Sequence, residues 1–206
     1  PDISLPKPVT ANIYCACCRR AEGKKMEFKT LAPNGPVLMI PVVHGDERGF
    51  FMETFRQNEF EAQCGPHTFV QDNHSKSRQG VLRGMHYQLR QPQGKLVRVI
   101  QGQVYDVVVD LRVSSPTFGQ SFAALLDDAN RHMLWVPPGF AHGFLVLSSE
   151  AEFIYKCTTY YAPDDEYCLR WDDPVPGITW PFLAEALVVS AKDREGLAFG
   201  DCPKYR

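Results

Sequence analysis

The chain has 206 residues, 22 basic against 24 acidic side chains and a formal net charge of −2. That is enough length for one substantial domain with its own core, and there is no global basic field of the kind that draws proteins to nucleic acid or anionic membrane. No run approaches the ~18 consecutive apolar residues of a membrane span, and the N-terminus lacks the basic, apolar and small-residue order of a secretory signal, so a soluble cytoplasmic protein is expected.

Pro1 to Lys25 stands apart from the rest of the chain. It carries Pro1, Pro6 and Pro8, no sustained periodicity, and a CACC cluster at Cys15, Cys17 and Cys18. The cluster lacks both a fourth ligand and the two-residue gap usual between paired zinc cysteines. The segment reads as a disordered leader, an upstream translated extension or an expression remnant. Met26 reads as a natural start, with residues 26–206 forming a single domain. Cys64, Cys157, Cys168 and Cys202 are scattered, and the total of seven cysteines is odd; they read as reduced thiols.

After Met26, turn signals at Pro33, Asn34, Gly35 and Pro36 precede an apolar run, and a second turn at His44 to Gly49 precedes another, predicting two strands. Arg56 to Cys64 (RQNEFEAQC) predicts a short helix, ended by Gly65 and Pro66. Thr68 to Asn73 predicts a strand that runs into a polar loop. Beyond Gly80 the predicted strands are Val81–Leu89, Lys95–Gln101, Gln103–Arg112, Ser121–Leu126, His132–Val136, Phe144–Leu147 and Glu152–Tyr160, separated by Gly, Pro, Asn and Asp turns. Phe182 to Val189 reads as a short helix or strand, followed by a polar tail. Nothing alternates with long helices, which disfavours a doubly wound α/β fold. The expected class is all-β: an antiparallel barrel of the jelly-roll type with a few short peripheral helices.

Period-two alternation puts Leu82, Gly84, His86 and Gln88 on one face, and Arg83, Met85 and Tyr87 on the other. Arg83 shares a pocket with His86 only if the strand bulges near Gly84 or Arg83 enters from the strand end. Lys95 has the apolar same-face neighbours Val97 and Val99; it is either a costly inward cation with a function or a wetted strand end. Asp106 and Asp110 are expected on the solvated outer face. Pro137, Gly139 and His142 fit P-x-G-x-x-H, the second sequence motif of cupin barrels. Around His86, however, the string is HYQ where metal cupins carry H-x-H, so the jelly-roll is expected to be a cupin-like barrel whose site holds no metal, and His142 reads as a polar pocket residue or a structural one. Tyr155, Cys157, Thr159 and Tyr161 share a strand face, as core aromatics or as an acid and a stacking platform. Arg48, Arg83, Arg98, Arg112 and Arg170 offer forks for a diphosphate.

The strings GDERGFFMETF, FVQDNHSKS, GVLRGMHYQ, PQGKLVRVIQGQVYDVVVDLR, WVPPGFAHGF, EFIYKCTTYYAPDDE, RWDDP and SAKD occur in order from about Met26 to Asp193. On these, most of the chain resembles the dTDP-4-dehydrorhamnose 3,5-epimerases of deoxysugar biosynthesis. The resemblance implies inversion of C3 and C5 of dTDP-4-dehydro-6-deoxy-D-glucose without redox cofactor or metal. It implies His86 as general base, Asp193 as the carboxylate that orients it, Lys95 as the cation at the C4 oxygen and Tyr155 as the acid. Substrate contacts are implied for Arg48, Glu53, Gln71, Asp72, Asn73, Arg83, His142, Tyr161, Glu166 and Lys192, with Tyr161 as the thymine stacker. A homodimer is implied, Arg48 and Glu53 reaching the neighbouring site, with no nucleic-acid or membrane partner. The competing readings are an epimerase acting at C3 or C5 alone, a sugar-nucleotide ketoisomerase, a non-catalytic sugar-binding module and a metal-dependent cupin.

Overall fold

The computed structural model describes residues 25–206, so the readings for the leader and for Cys15, Cys17 and Cys18 lie outside the described residues. The strands run β1 (Glu27–Thr30), β2 (Val37–Ile40), β3 (Val43–Asp46), β4 (Gly49–Met52), β5 (Gln71–Arg78), β6 (Val81–Gln88) and β7 (Lys95–Gln101). They continue as β8 (Gln103–Asp110), β9 (Ser121–Asp127), β10 (Met133–Val136), β11 (Phe140–Val146), β12 (Glu150–Cys157), β13 (Glu166–Cys168) and β14 (Val188–Val189). Two helices flank them, α1 (Gln57–Cys64) and α2 (Ala191–Arg194). One sheet has the order β1-β2-β10-β7-β12-β5 and the other β13-β6-β11-β8-β9, with β14 added beside β6. The β3–β4 hairpin stands apart from both. This is the expected jelly-roll, cupin-like architecture. Among the described residues no helix is long and apolar enough to cross a membrane.

The strands form where apolar side chains recur at period two, and their inner faces meet in one core. Val97, Val99, Val104, Val108, Leu134, Val136, Phe140, Phe144 and Phe153 are all buried there, drawn from both sheets. The outer face of the first sheet is closed by α1, whose Phe60 packs edge-on against Trp135 at 5.0 Å between centroids. The outer face of the second is closed by the C-terminal segment through Phe199 and Cys202.

Several elements differ from the sequence expectation. The stretch from Glu27 to Met52 holds four strands, not two, the turn at His44 to Gly49 becoming the detached β3–β4 hairpin. The strand placed at Thr68–Asn73 instead spans Gln71–Arg78, a wholly polar run paired along its length with β12. Its two faces are both wet, one lining a cavity and the other facing solvent, so no apolar alternation marks it. Strand β11 begins at Phe140 rather than Phe144, directly after the Gly139 turn with φ +101°. After Phe140 its opening continues AHG, in which Ala and Gly are poor strand formers. The segment before the tail gives a single 3₁₀ turn at Ala184–Ala186 and the two-residue β14, which joins β6 in parallel.

Asp106 and Asp110 correct the sequence reading: both are fully buried. Strand β8 is apolar on both faces, so polarity could not say which side was interior. Asp106 turns inward beside Val104 and Val108, whereas Val107 and Val109 face the C-terminal segment. Asp110 accepts hydrogen bonds from Arg112, Ser115 and Thr117 and so organises the following turn.

Candidate active site

A cavity of ≈ 500 Å³ opens between the sheets, lined by Arg83, His86 and His142 from one side and by Ser75, Lys95 and Tyr155 from the other, with Lys192 and Asp193 at its edge. A second cavity of ≈ 290 Å³ shares His86, Lys95 and Tyr155 and extends to Gln71, Asn73, Tyr161 and Glu166. The two are therefore neighbouring parts of one site.

Arg83 reaches that site because β6 does bulge. His142 lies opposite His86 and Phe144 opposite Arg83, so three steps on β6 match two on β11. Gly84, at φ +126°, takes up the extra residue, and a Cβ there would sit 2.6 Å from the Gly143 Cα. Glycine meets both demands, positive φ and backbone-to-backbone approach. The Arg83 Nε then donates to Ser77 Oγ at 3.1 Å, which fixes the guanidinium at the cavity wall.

His86 donates from Nε2 to Asp193 Oδ1 at 2.6 Å. Its side chain is 26% exposed while that of Asp193 is 5% exposed, so the ring is open to the cavity and its partner is sealed behind it. Asp193 is held by the first turn of α2, where its backbone N–H donates to the capping Ser190 Oγ at 3.1 Å. Burial would raise the Asp193 carboxyl, but the hydrogen bond and charge of His86 outweigh it and hold it below the usual range. The carboxylate therefore stays ionised and fixes the ring, leaving the second imidazole nitrogen for a proton in the cavity.

Lys95 and Tyr155 face this pair from β7 and β12. Lys95 is inward, facing the cavity rather than standing as a wetted strand end. Burial lowers its pKa, partly offset by Cys157, Glu166 and Asp106. Burial raises the Tyr155 phenol, which nearby Arg83 partly opposes. Neither side chain forms a hydrogen bond with the described residues, so ammonium and phenol both keep their donors for a ligand.

His142 is 7% exposed and its Nε2 lies 3.0 Å from each Asp106 carboxylate oxygen. Burial raises the Asp106 carboxyl despite the neighbouring His142 and Lys95. The histidine of the cupin motif thus has a carboxylate partner. Gln88, where metal cupins carry their second histidine, is buried and bonded to Gln91 O and the Ala162 N–H.

At the mouth, Tyr161 Oη donates to Glu166 Oε2 at 2.6 Å, and Lys192 pairs with the same oxygen. Gln71 ties in by accepting from the Tyr161 N–H at 2.9 Å and donating to Asn73 Oδ1 at 3.1 Å. Three of the expected contacts lie elsewhere. Asp72 falls on the opposite face of β5 from Gln71 and Asn73 and pairs with Lys156 at 3.0 Å. Arg48 sits on the β3–β4 hairpin, 82% exposed and paired with Asp46. Glu53 follows that hairpin and pairs with Arg56.

Sequence reasoning put Asp106 on the outer face, because its strand is apolar on both faces, and it gave Cys157, although on the Tyr155 face, and Cys168 no part in the site. Cys157 lies opposite Lys95 in the β12–β7 register and accepts from Asn73 Nδ2 at 3.6 Å. Cys168 lies opposite His86, and burial pushes its thiol up to about 12.

A sequence model of the family described as dTDP-4-dehydrorhamnose 3,5-epimerase matches residues 30–201. A dTDP-4-dehydrorhamnose 3,5-epimerase of Pseudomonas aeruginosa is 54% identical over 177 residues, covering 85% of this chain and 97% of that protein. That of Salmonella typhimurium is 52% identical over 168 residues, covering 81% and 91%. Among solved structures, the dTDP-6-deoxy-D-glucose-3,5-epimerase of Legionella pneumophila in complex with dTDP-4-keto-L-rhamnose superposes with a TM-score of 0.83 at 44% identity, covering 88% of this chain and 100% of that one. With a family match over most of its length and relatives above half identity, the chain belongs to the dTDP-4-dehydrorhamnose 3,5-epimerase family of enzymes.

Proposed function

We propose that the protein inverts C3 and C5 of dTDP-4-dehydro-6-deoxy-D-glucose to give dTDP-4-dehydro-L-rhamnose. The observation that carries this is the placement of the His86–Asp193 pair on one side of a cavity whose other side presents Lys95 and Tyr155. The C4 carbonyl of such a substrate acidifies the hydrogens on both neighbouring carbons. His86 removes one of them, Lys95 donates to the C4 oxygen as it becomes an enolate, and Tyr155 returns a proton from the opposite face. Repetition at the second carbon needs no further group, and electrons balance without a redox partner. In this reading Arg83 and Lys192 meet the diphosphate and sugar, Gln71, Asn73, His142 and Glu166 bind polar groups of the ligand, and Tyr161 stacks on thymine.

The reaction is tested by incubating the protein with the 4-keto sugar nucleotide in deuterated water and following it by NMR. Deuterium is expected at both C3 and C5. Label at one carbon would make the protein a single-centre epimerase, and label at neither would remove the reading.

Arg48 and Glu53 enter this scheme only through a second copy. Phe50 and Phe51, on the same hairpin as Arg48, are 58% and 71% exposed, large apolar surfaces of the kind that protein partners cover. We infer a homodimer in which the hairpin and its flank contribute Arg48 and Glu53 to the partner's site. Sedimentation equilibrium is expected to give twice the chain mass, and a monomer at assay concentration would rule this out.

A further inference from the structure

The catalytic pair has a third neighbour for which the proposed proton transfers have no use. Cys168 on β13 is the register partner of His86 on β6, and its Sγ lies 3.9 Å from Asp193 Oδ1, the oxygen that also takes the His86 hydrogen bond. Three separate elements, β6, β13 and α2, thus bring an imidazole, a thiol and a carboxylate together. One ligand atom from each lies within 4.8 Å of the others, the one such group among the described residues. Tetrahedral zinc, with bonds of about 2.0–2.3 Å, spaces its ligands roughly 3.3–3.6 Å apart. The His86–Asp193 contact would widen from 2.6 Å and the Cys168–Asp193 contact would close from 3.9 Å, both small adjustments.

We propose that His86, Cys168 and Asp193 form a binding site for a thiophilic divalent cation of the zinc class, and that its occupation switches the enzyme off. A thiolate, a carboxylate and a neutral imidazole together neutralise a dication, and the thiolate selects zinc over magnesium or calcium. Asp193 lines the cavity's edge together with His86, Ser190 and Lys192, so a cation reaches the trio from that edge, where a fourth coordination position stays open. On binding, the Cys168 thiol proton leaves to solvent and the His86 Nε2 proton moves to Nδ1 as Nε2 takes the metal. No electron is transferred. The nitrogen that would accept the substrate proton is then already protonated, so the block rests on His86 being the base.

The test uses the full chain, stripped of metal, and its Cys168→Ala variant, with Cys168→Ser as the alternative should alanine disturb folding. Zinc binding is read by calorimetry and cobalt binding by absorbance, both without substrate. Wild type is expected to show a zinc-binding event and a thiolate-to-cobalt charge-transfer band that the variant loses or binds about tenfold or more weakly. Zinc held elsewhere, including at Cys15, Cys17 and Cys18, is common to both proteins and subtracts. In the deuterium assay zinc is expected to inhibit wild type reversibly, EDTA to restore it, magnesium to do nothing, and the variant to require about tenfold more zinc. Equal zinc affinity and equal cobalt spectra in the two proteins would overturn the site. Cys168-dependent binding without inhibition would overturn the switch. Failure of the epimerase reading would show instead as no turnover in the metal-free protein, whatever the binding measurements give.

Discussion

Replacing His86 with glutamine is expected to lower kcat by about 10²–10⁴-fold, the usual worth of a positioned general base, with little change in KM. Deuterium incorporation should fall at C3 and C5 together, because both carbons flank the same carbonyl and the cavity's other histidine, His142, is only 7% exposed with its Nε2 turned to Asp106. Glutamine is the informative choice because Asp193 is buried and ionised behind the ring. An alanine would leave that carboxylate without its charged partner, at a cost of about 3–5 kcal/mol, and would confuse loss of base with loss of fold. The glutamine amide places an N–H where Nε2 stood, within reach of Asp193, but has no basic nitrogen. An NMR time course in deuterated water decides it: exchange at either carbon at the wild-type rate would remove His86 from the role of base.

Much of this site is legible in the sequence, and the reasons differ by residue. The buried strands announce themselves where one face is apolar and the other is not, as in Lys95–Gln101, and a lysine at the head of such a strand is conspicuous because its burial is costly. The bulge at Gly84 is implied by a single glycine in a strand together with the need for Arg83 and His86 to meet. Asp193 is a different matter. It sits 107 residues from His86 in a polar tail with no periodicity, so only the resemblance carried by SAKD points to it. The inward turn of Asp106 is hidden because β8 is apolar on both faces. Strand β5 is hidden for the opposite reason, being polar on both. A strand that lines a ligand cavity on one side and meets water on the other loses the alternation by which strands are recognised. The β3–β4 hairpin, with Arg48 and its exposed phenylalanines, reads as an ordinary strand pair in sequence because nothing local says that it leaves the sheets.

Lys95→Met is expected to raise stability and abolish most of the activity at once. The ammonium stands in a cavity wall among Val97 and other buried residues with no hydrogen bond from the described residues, and burial lowers its pKa below the usual 10.5. Methionine fills a similar volume without that desolvation penalty, so the folded state should gain on the order of 1 kcal/mol. The sign of the pH dependence comes from the same shift. With its native pKa below the unfolded value, Lys95 binds its proton more readily in the unfolded chain. Its penalty is therefore full below the native pKa and fades as pH rises from there through 10.5. The stability advantage of Lys95→Met should shrink across that alkaline window, as read from urea unfolding at a series of pH values. Activity moves the other way. Without a donor at the C4 oxygen the enolate loses its main charge partner, and kcat should drop by about 10²–10³-fold, the usual cost of removing an oxyanion donor. A variant that is both less stable and nearly as active as wild type would show that Lys95 is a structural residue. A cation kept where it weakens the fold is intelligible if the charge is needed by something that occupies the cavity only during turnover.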